Sequence, residues 1–166
     1  MTERLEAPLR WREGVAPGDP DAVGRIVRAT DFFNAEEEAI ARELAEDCLA
    51  RGPASGYEFL FAERGPSTVA YSCYGRIGGT LESWDLYWIA VDPAEQGRGL
   101  GRHLLAETEL RVRAGGGGRL YVETSGRASY APTRDFYAHM GYALEATLAD
   151  FYSPGDAKCI YVKRLR

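Results

Sequence analysis

Apolar and polar positions along this chain change period several times, and the changes mark its elements. After a short opening strand, Asp19-Pro20-Asp21 supplies capping and first-turn chemistry for a helix through Val23, Ile26 and Val27. Asn34-Ala35-Glu36-Glu37 starts a second helix, a capping residue followed by acids that suit the positive end of the helix dipole. Ile40, Leu44, Ala45 and Leu49 then recur at helical spacing and predict its buried face, with Cys48 beside it as a small buried residue.

From Tyr57 the pattern turns to strands. Tyr57–Ala62 and Thr68–Tyr74 are rich in aromatic and β-branched residues, and the turn Arg64-Gly65-Pro66-Ser67 between them predicts a hairpin. Trp84–Val91 is the strongest strand signal, and its near-continuous apolar character predicts burial on both faces. Asp92-Pro93 ends it. A helix marked by Leu104, Leu105, Thr108 and Val112 runs to about Ala114, where Gly115–Gly118 stop it. Next come a strand over Arg119–Thr124 and a helix from about Ser129 to Met140, in which Phe136 and Met140 read as the core pair and Tyr137 is turned about 100° away from Phe136. Strands near Ala143–Phe151 and Lys158–Arg164 close the chain. Strand, glycine turn, helix, strand, helix is a βαβα unit, so parallel pairing is expected in the middle and hairpins around it. The expected architecture is a single α/β (mixed α+β) domain over residues 1–166, with a mixed twisted sheet of about six or seven strands flanked by about four helices.

Composition narrows the function classes. A net charge of −5 argues against nucleic acid as the main partner. Three cysteines, Cys48, Cys73 and Cys159, lack CxxC spacing, and with two histidines neither a disulfide framework nor a metal centre is expected. The opening MTERLEAPLRW has no apolar leader run, and no stretch of about 18 apolar residues predicts a membrane span. The default setting is therefore soluble, reducing and cytoplasmic.

The candidate chemistry lies between the strongest strand and its helix, in Gln96-Gly97-Arg98-Gly99-Leu100-Gly101-Arg102. Glycines there permit positive φ and close approach of a ligand, and the following helix offers free N–H groups and a positive dipole end. Arg98 and Arg102 add charge-assisted donors, so the segment reads as a phosphate or pyrophosphate site. A dinucleotide fingerprint fails because Arg102 stands where its last glycine belongs, and a P-loop fails because no Lys follows these glycines. The pattern Q-x-x-G-x-G after a buried strand, together with Phe136-Tyr137-Ala138-His139-Met140-Gly141-Tyr142, closely resembles the GCN5-related N-acetyltransferase (GNAT) family, over roughly residues 56 to 165.

That resemblance implies an enzyme that transfers acetyl from acetyl-CoA to a primary amine by direct attack in a ternary complex, without a metal. Gln96 to Arg102 would cradle the pyrophosphate, and the main chain of Ile89, Ala90 and Val91 would pair with the pantetheine arm. Tyr137 matches the tyrosine that protonates the leaving thiolate in many members. The base is left open between Asp85, an acid inside an apolar strand, and Glu123 on the following strand, with Glu82 in a loop as a weaker candidate. Many members carry an Asn where Tyr130 stands, so that cofactor contact falls to Ser125 or Ser129. Arg127, Arg134 and the aromatic run Trp84, Tyr87, Trp88 and Tyr130 hint at an acceptor pocket, while His103 and His139 read as helix-surface residues. Two rival readings stay open: a non-catalytic acyl-CoA-binding regulatory domain, and an acyltransferase with another acyl chain or acceptor. The identity of the amine is unspecified, and the closing strands are compatible with a homodimer.

Overall fold

The computed structural model describes residues 7–166; residues 1–6, the start of the MTERLEAPLRW stretch in which no apolar leader run is expected, lie outside the described residues. β1 (Leu9–Glu13) is followed by α1 (Asp19–Ala29) and α2 (Ala35–Arg51), then β2 (Glu58–Arg64), β3 (Ser67–Arg76) and β4 (Ser83–Val91). α3 (Leu100–Ala114), β5 (Arg119–Ser125), α4 (Ala131–His139), β6 (Ala143–Ser153) and β7 (Asp156–Arg164) complete the chain. Hydrogen-bonded strand neighbours follow the order β1-β2-β3-β4-β5-β7-β6 in a mixed, seven-stranded sheet. β4 and β5 run parallel, whereas β1–β2, β2–β3, β5–β7 and β6–β7 are antiparallel.

The chain divides into two compact units, residues up to Tyr74 with Trp88–Thr108, and Gly75–Tyr87 with Glu109–Arg166. In the first unit α1 and α2 supply one side of a core. Val23, Ile26 and Val27 of α1 and Ala41 and Ala45 of α2 pack with Phe59, Phe61, Tyr71, Cys73 and Ala90. Asn34 opens α2 as expected: its Oδ1 accepts from the Glu37 N–H at 2.9 Å, and Glu37 Oε2 accepts from the Asn34 N–H at 2.8 Å. The buried face of α2 differs from the expected one. Ile40 and Leu49 are 44% and 40% exposed, and the inward stripe is Ala41, Leu44, Ala45 and Cys48. Small residues win because α1 and α2 approach closely; a Cβ on Gly24 would stand 2.8 Å from Arg42 Cδ.

In the second unit the glycine run after α3 sets the entry to β5. Gly117 N–H donates to the Val112 carbonyl at 2.8 Å, and the Gly118 and Arg119 N–H groups donate to the Glu82 carbonyl at 2.9 and 3.1 Å. Trp84 packs over this turn, close enough that a Cβ on Gly117 would stand 2.9 Å from its ring. Two further expectations change here. β4 is not buried on both faces: Trp84, Leu86 and Ala90 are buried but Tyr87 is 41% exposed, because the face carrying Ser83 and Asp85 borders an open cleft. On α4, Phe136 and Met140 are only half-buried, and Tyr137 is the residue turned inward at 4% exposure. Its ring meets Tyr142 at 5.6 Å and Tyr161 at 6.5 Å, a cluster assembled from β7 and the turn after α4.

Loss of the capping box tests the local logic of α2: Asn34→Ala is expected to destabilise the protein by about 1 kcal/mol, read as a lower urea midpoint with an unchanged slope.

Candidate active site

The glycine segment hangs from a fixed turn in the first unit. After β4, Asp92 N–H donates to the Val69 carbonyl at 2.8 Å, and Asp92 Oδ1 accepts from the Ala94 N–H at 3.0 Å, which caps the short 3₁₀ turn Pro93–Glu95. Glu95 is buried against Arg64 of β2 through two charge-assisted bonds of 2.9 and 3.1 Å. Gln96 Nε2 reaches back to the Val91 carbonyl at 3.2 Å. Gly97 and Gly99 both take φ 78°, and a Cβ on either would meet nothing within 4 Å. These glycines are therefore required by backbone conformation, and the space beside them is open for a ligand.

Leu100 is buried, while Arg98 and Arg102 are exposed. His103 N–H donates to the Gly99 carbonyl at 3.1 Å, so the amides of Leu100, Gly101 and Arg102 precede the first bond of α3. Open glycines, leading amides and two guanidinium groups fit a pyrophosphate. Ile89, Ala90 and Val91 form the last part of β4, beyond the stretch in which Ser83–Leu86 pair with Arg119–Val122 of β5.

The second unit holds the titratable candidates. Asp85 and Glu123 both line a cleft of about 350 Å³, with Ile77, Thr80, Ser83 and Tyr121. Burial pushes the Asp85 carboxyl above its ordinary range, the Glu123 charge adds to that, and Lys158 opposes it. Glu123 Oε2 pairs with Lys158 Nζ at 2.7 Å, and the same ammonium lies 4.3 Å from the centre of the Phe151 ring. No local pattern in the sequence marks Lys158 as a partner of Glu123; the β5–β7 register brings β7 beside it. Tyr137 makes no side-chain hydrogen bond among the described residues, and burial raises its phenol above the usual value.

Other candidates have structural work. Ser125 bonds the Asp156 carboxylate and accepts from the Arg127 N–H at 3.1 Å, and Arg134 Nη1 donates to the Ser125 and Arg127 carbonyls at 2.8 Å each. Ser129 stays exposed on the 3₁₀ turn Ala128–Tyr130. Glu82 serves through its carbonyl at the glycine turn, His139 Nδ1 lies 2.7 Å from the Asp135 carbonyl, and His103 stacks edge-on to Trp11 at 4.9 Å. Cys73 and Cys159 are buried, and burial raises the thiols of Cys48 and Cys73 above the ordinary value, so neither of those two is an activated nucleophile. Among the described residues no group of three or more His, Cys, Asp or Glu is set to hold a metal, and no helix is long and apolar enough to cross a membrane.

Known proteins are similar to this chain in sequence and fold. The family model described as "Acetyltransferase (GNAT) domain" matches residues 55–144. The chain is 32% identical to the N-alpha-acetyltransferase RimI of Mycobacterium tuberculosis, covering 90% of this chain and 95% of that one. The chain belongs to the GNAT acetyltransferase family. A GNAT-family protein of Desulfovibrio desulfuricans superposes with a TM-score of 0.94 at 45% identity, covering 96% of this chain and 100% of the other. The fold is also that of yncA from Salmonella typhimurium, solved with acetyl-CoA: TM-score 0.74, 18% identity, 95% and 94% coverage. As a member of the GNAT acetyltransferases the protein is an acetyl-CoA-dependent acetyltransferase.

For this GNAT chain, Asp85 is a group whose folded pKa is raised, so its contribution to stability is present below the unfolded value of about 4 and is lost as pH rises through the folded value. Asp85→Asn is therefore expected to raise the urea midpoint at pH 7 relative to wild type, with a smaller gain at pH 4; an equal gain at both would contradict the shift.

Proposed function

We propose that the protein transfers the acetyl group of acetyl-CoA to a primary amine by direct attack in a ternary complex, with residues 1–166 working as one catalytic domain. The observation that carries this reading is the cradle at Gly97 and Gly99, two left-handed glycines with open space beside them, immediately before α3 and flanked by Arg98 and Arg102. Amides and guanidinium groups there bind the pyrophosphate of CoA, and the main chain of Ile89, Ala90 and Val91 receives its pantetheine arm. Ser129, exposed before α4, offers a hydroxyl to the same ligand. Bound acetyl-CoA supplies an activated acyl carbon and a thiol leaving group.

The chain's own residues then move protons. The amine must lose a proton to become a nucleophile, and Asp85 is the base: its raised pKa makes it a better acceptor than an ordinary Asp. Glu123 across the cleft contributes negative charge that attracts the ammonium and sustains the Asp85 shift. As the C–N bond forms and the C–S bond breaks, Tyr137 Oη gives its proton to the departing sulfur. Burial keeps that phenol protonated over the whole working range. The raised cysteine thiols at Cys48 and Cys73 favour direct attack over an acyl-cysteine route.

The 32% identical relative is an N-alpha-acetyltransferase, which puts peptides with a free N-terminal amine first in a panel of acceptors. A CoA thioester as donor and three free cysteines are in keeping with a cytoplasmic setting.

Calorimetric titration of acetyl-CoA into the purified protein is expected to give saturable binding that Arg98→Ala/Arg102→Ala weakens by about tenfold or more. No binding by a folded sample overturns the reading. Tyr137→Phe is expected to lower kcat about 10²-fold with acetyl-CoA affinity little changed, and an unchanged kcat removes Tyr137 as the acid.

A further inference from the structure

One buried ionic cluster belongs to neither the glycine loop nor the carboxylate cleft. Glu109, in the second half of α3, is buried; its Oε1 accepts from Tyr142 Oη at 2.9 Å and from Lys163 Nζ at 3.1 Å, and its Oε2 accepts from Lys163 Nζ at 2.9 Å. A buried carboxylate is costly unless a cation and donors compensate it, and here both do. The Lys163 ammonium also lies 5.6 Å from the centre of the Tyr142 ring.

What the cluster holds is Tyr142, and Tyr142 is fastened at both ends. Its phenol is bound to α3 through Glu109, and its N–H donates to the Tyr137 carbonyl at 3.0 Å, in the last turns of α4. Gly141, which links the two elements, takes φ 90°, and a Cβ there would stand 3.5 Å from Lys163 Cε. The Tyr142 ring meets Tyr137 edge-on at 5.6 Å. The Tyr137 hydroxyl, by contrast, has no hydrogen bond of its own among the described residues, so ring packing alone aims it.

We propose that Glu109 is a positioning residue for Tyr137, acting through Tyr142 with Lys163 as its counter-ion. The inference rests on Tyr137 as proton donor to the leaving thiolate. A donor aimed by packing is only as well placed as its walls, and Tyr142 is the wall whose own position is set by a buried hydrogen bond. Loss of that bond lets the phenol drift while leaving the apolar contacts in place. A shift on the order of 1 Å is enough to cost a proton transfer up to about 10²-fold.

Tyr142→Phe keeps the ring and deletes only the bond to Glu109, so it is the test, measured as thiol release from acetyl-CoA with an N-terminal peptide amine. It is expected to lower kcat by about tenfold, with acetyl-CoA affinity changed by less than about twofold, and to cause no further loss when added to Tyr137→Phe. An unchanged kcat overturns the proposal. An equal loss with and without the Tyr137 hydroxyl also overturns it, because the effect would then be packing alone. Should Tyr142→Phe fail to fold, Glu109→Leu/Lys163→Met replaces the ion pair by apolar groups and runs through the same cycle with the same expected coupling. Failure of the acid assignment is read separately, as a wild-type kcat in Tyr137→Phe by itself; that result removes the acid and, with it, its positioning residue.

Discussion

Two neighbouring strands that run parallel cannot be joined by a tight turn; the chain must cross back over the sheet before the second strand begins. β4 and β5 are such a pair, and α3 is the crossover. From this constraint the rest follows. The helix starts at Leu100, after the 3₁₀ turn Pro93–Glu95, and just ahead of its unpaired amides and positive end the chain supplies glycines at positive φ and an arginine, with Arg102 following. The same crossover must end sharply to re-enter the sheet, and the run Gly115–Gly118, closed on Val112 and Glu82, does this.

The pairing also sets the electrostatics of the cleft. With Asp85 opposite Tyr121 in the parallel register, Glu123 lies two residues further along the neighbouring strand, and two carboxylates share one open space. Partial burial, with the Glu123 charge adding to it, raises Asp85, while the antiparallel neighbour β7 contributes Lys158 to Glu123. The pair is thereby divided into a carboxylate with a cation at hydrogen-bond distance and one without.

α3 and α4 are tied by a different kind of contact. Glu109 is a charge inside the protein, and its compensation by Tyr142 and Lys163 specifies a geometry that apolar packing alone would leave looser. Tyr137 sits against that fixed point. The helix that begins at the glycine loop thus carries, further along, the carboxylate against which the proposed acid is braced.

Much of this was readable without coordinates because the relevant interactions are local. The Asn34 capping box spans a single turn, the glycine stops at Gly115–Gly118 act on their own backbone, and the Q-x-x-G-x-G segment states its conformational needs residue by residue. Which face of an element is buried was not legible in the same way. Ile40 and Leu49 have the right spacing for a core yet lie outside, because α1 approaches the alanines of α2; Phe136 and Met140 yield to Tyr137, because the space beneath α4 is walled by Tyr142 and Tyr161. Lys158 beside Glu123 and Lys163 beside Glu109 lie dozens of residues from their partners, and their pairing follows from strand register and helix placement. Periodicity and capping are properties of a few consecutive residues, whereas burial, ion pairing and pKa are fixed by whatever the fold packs against them.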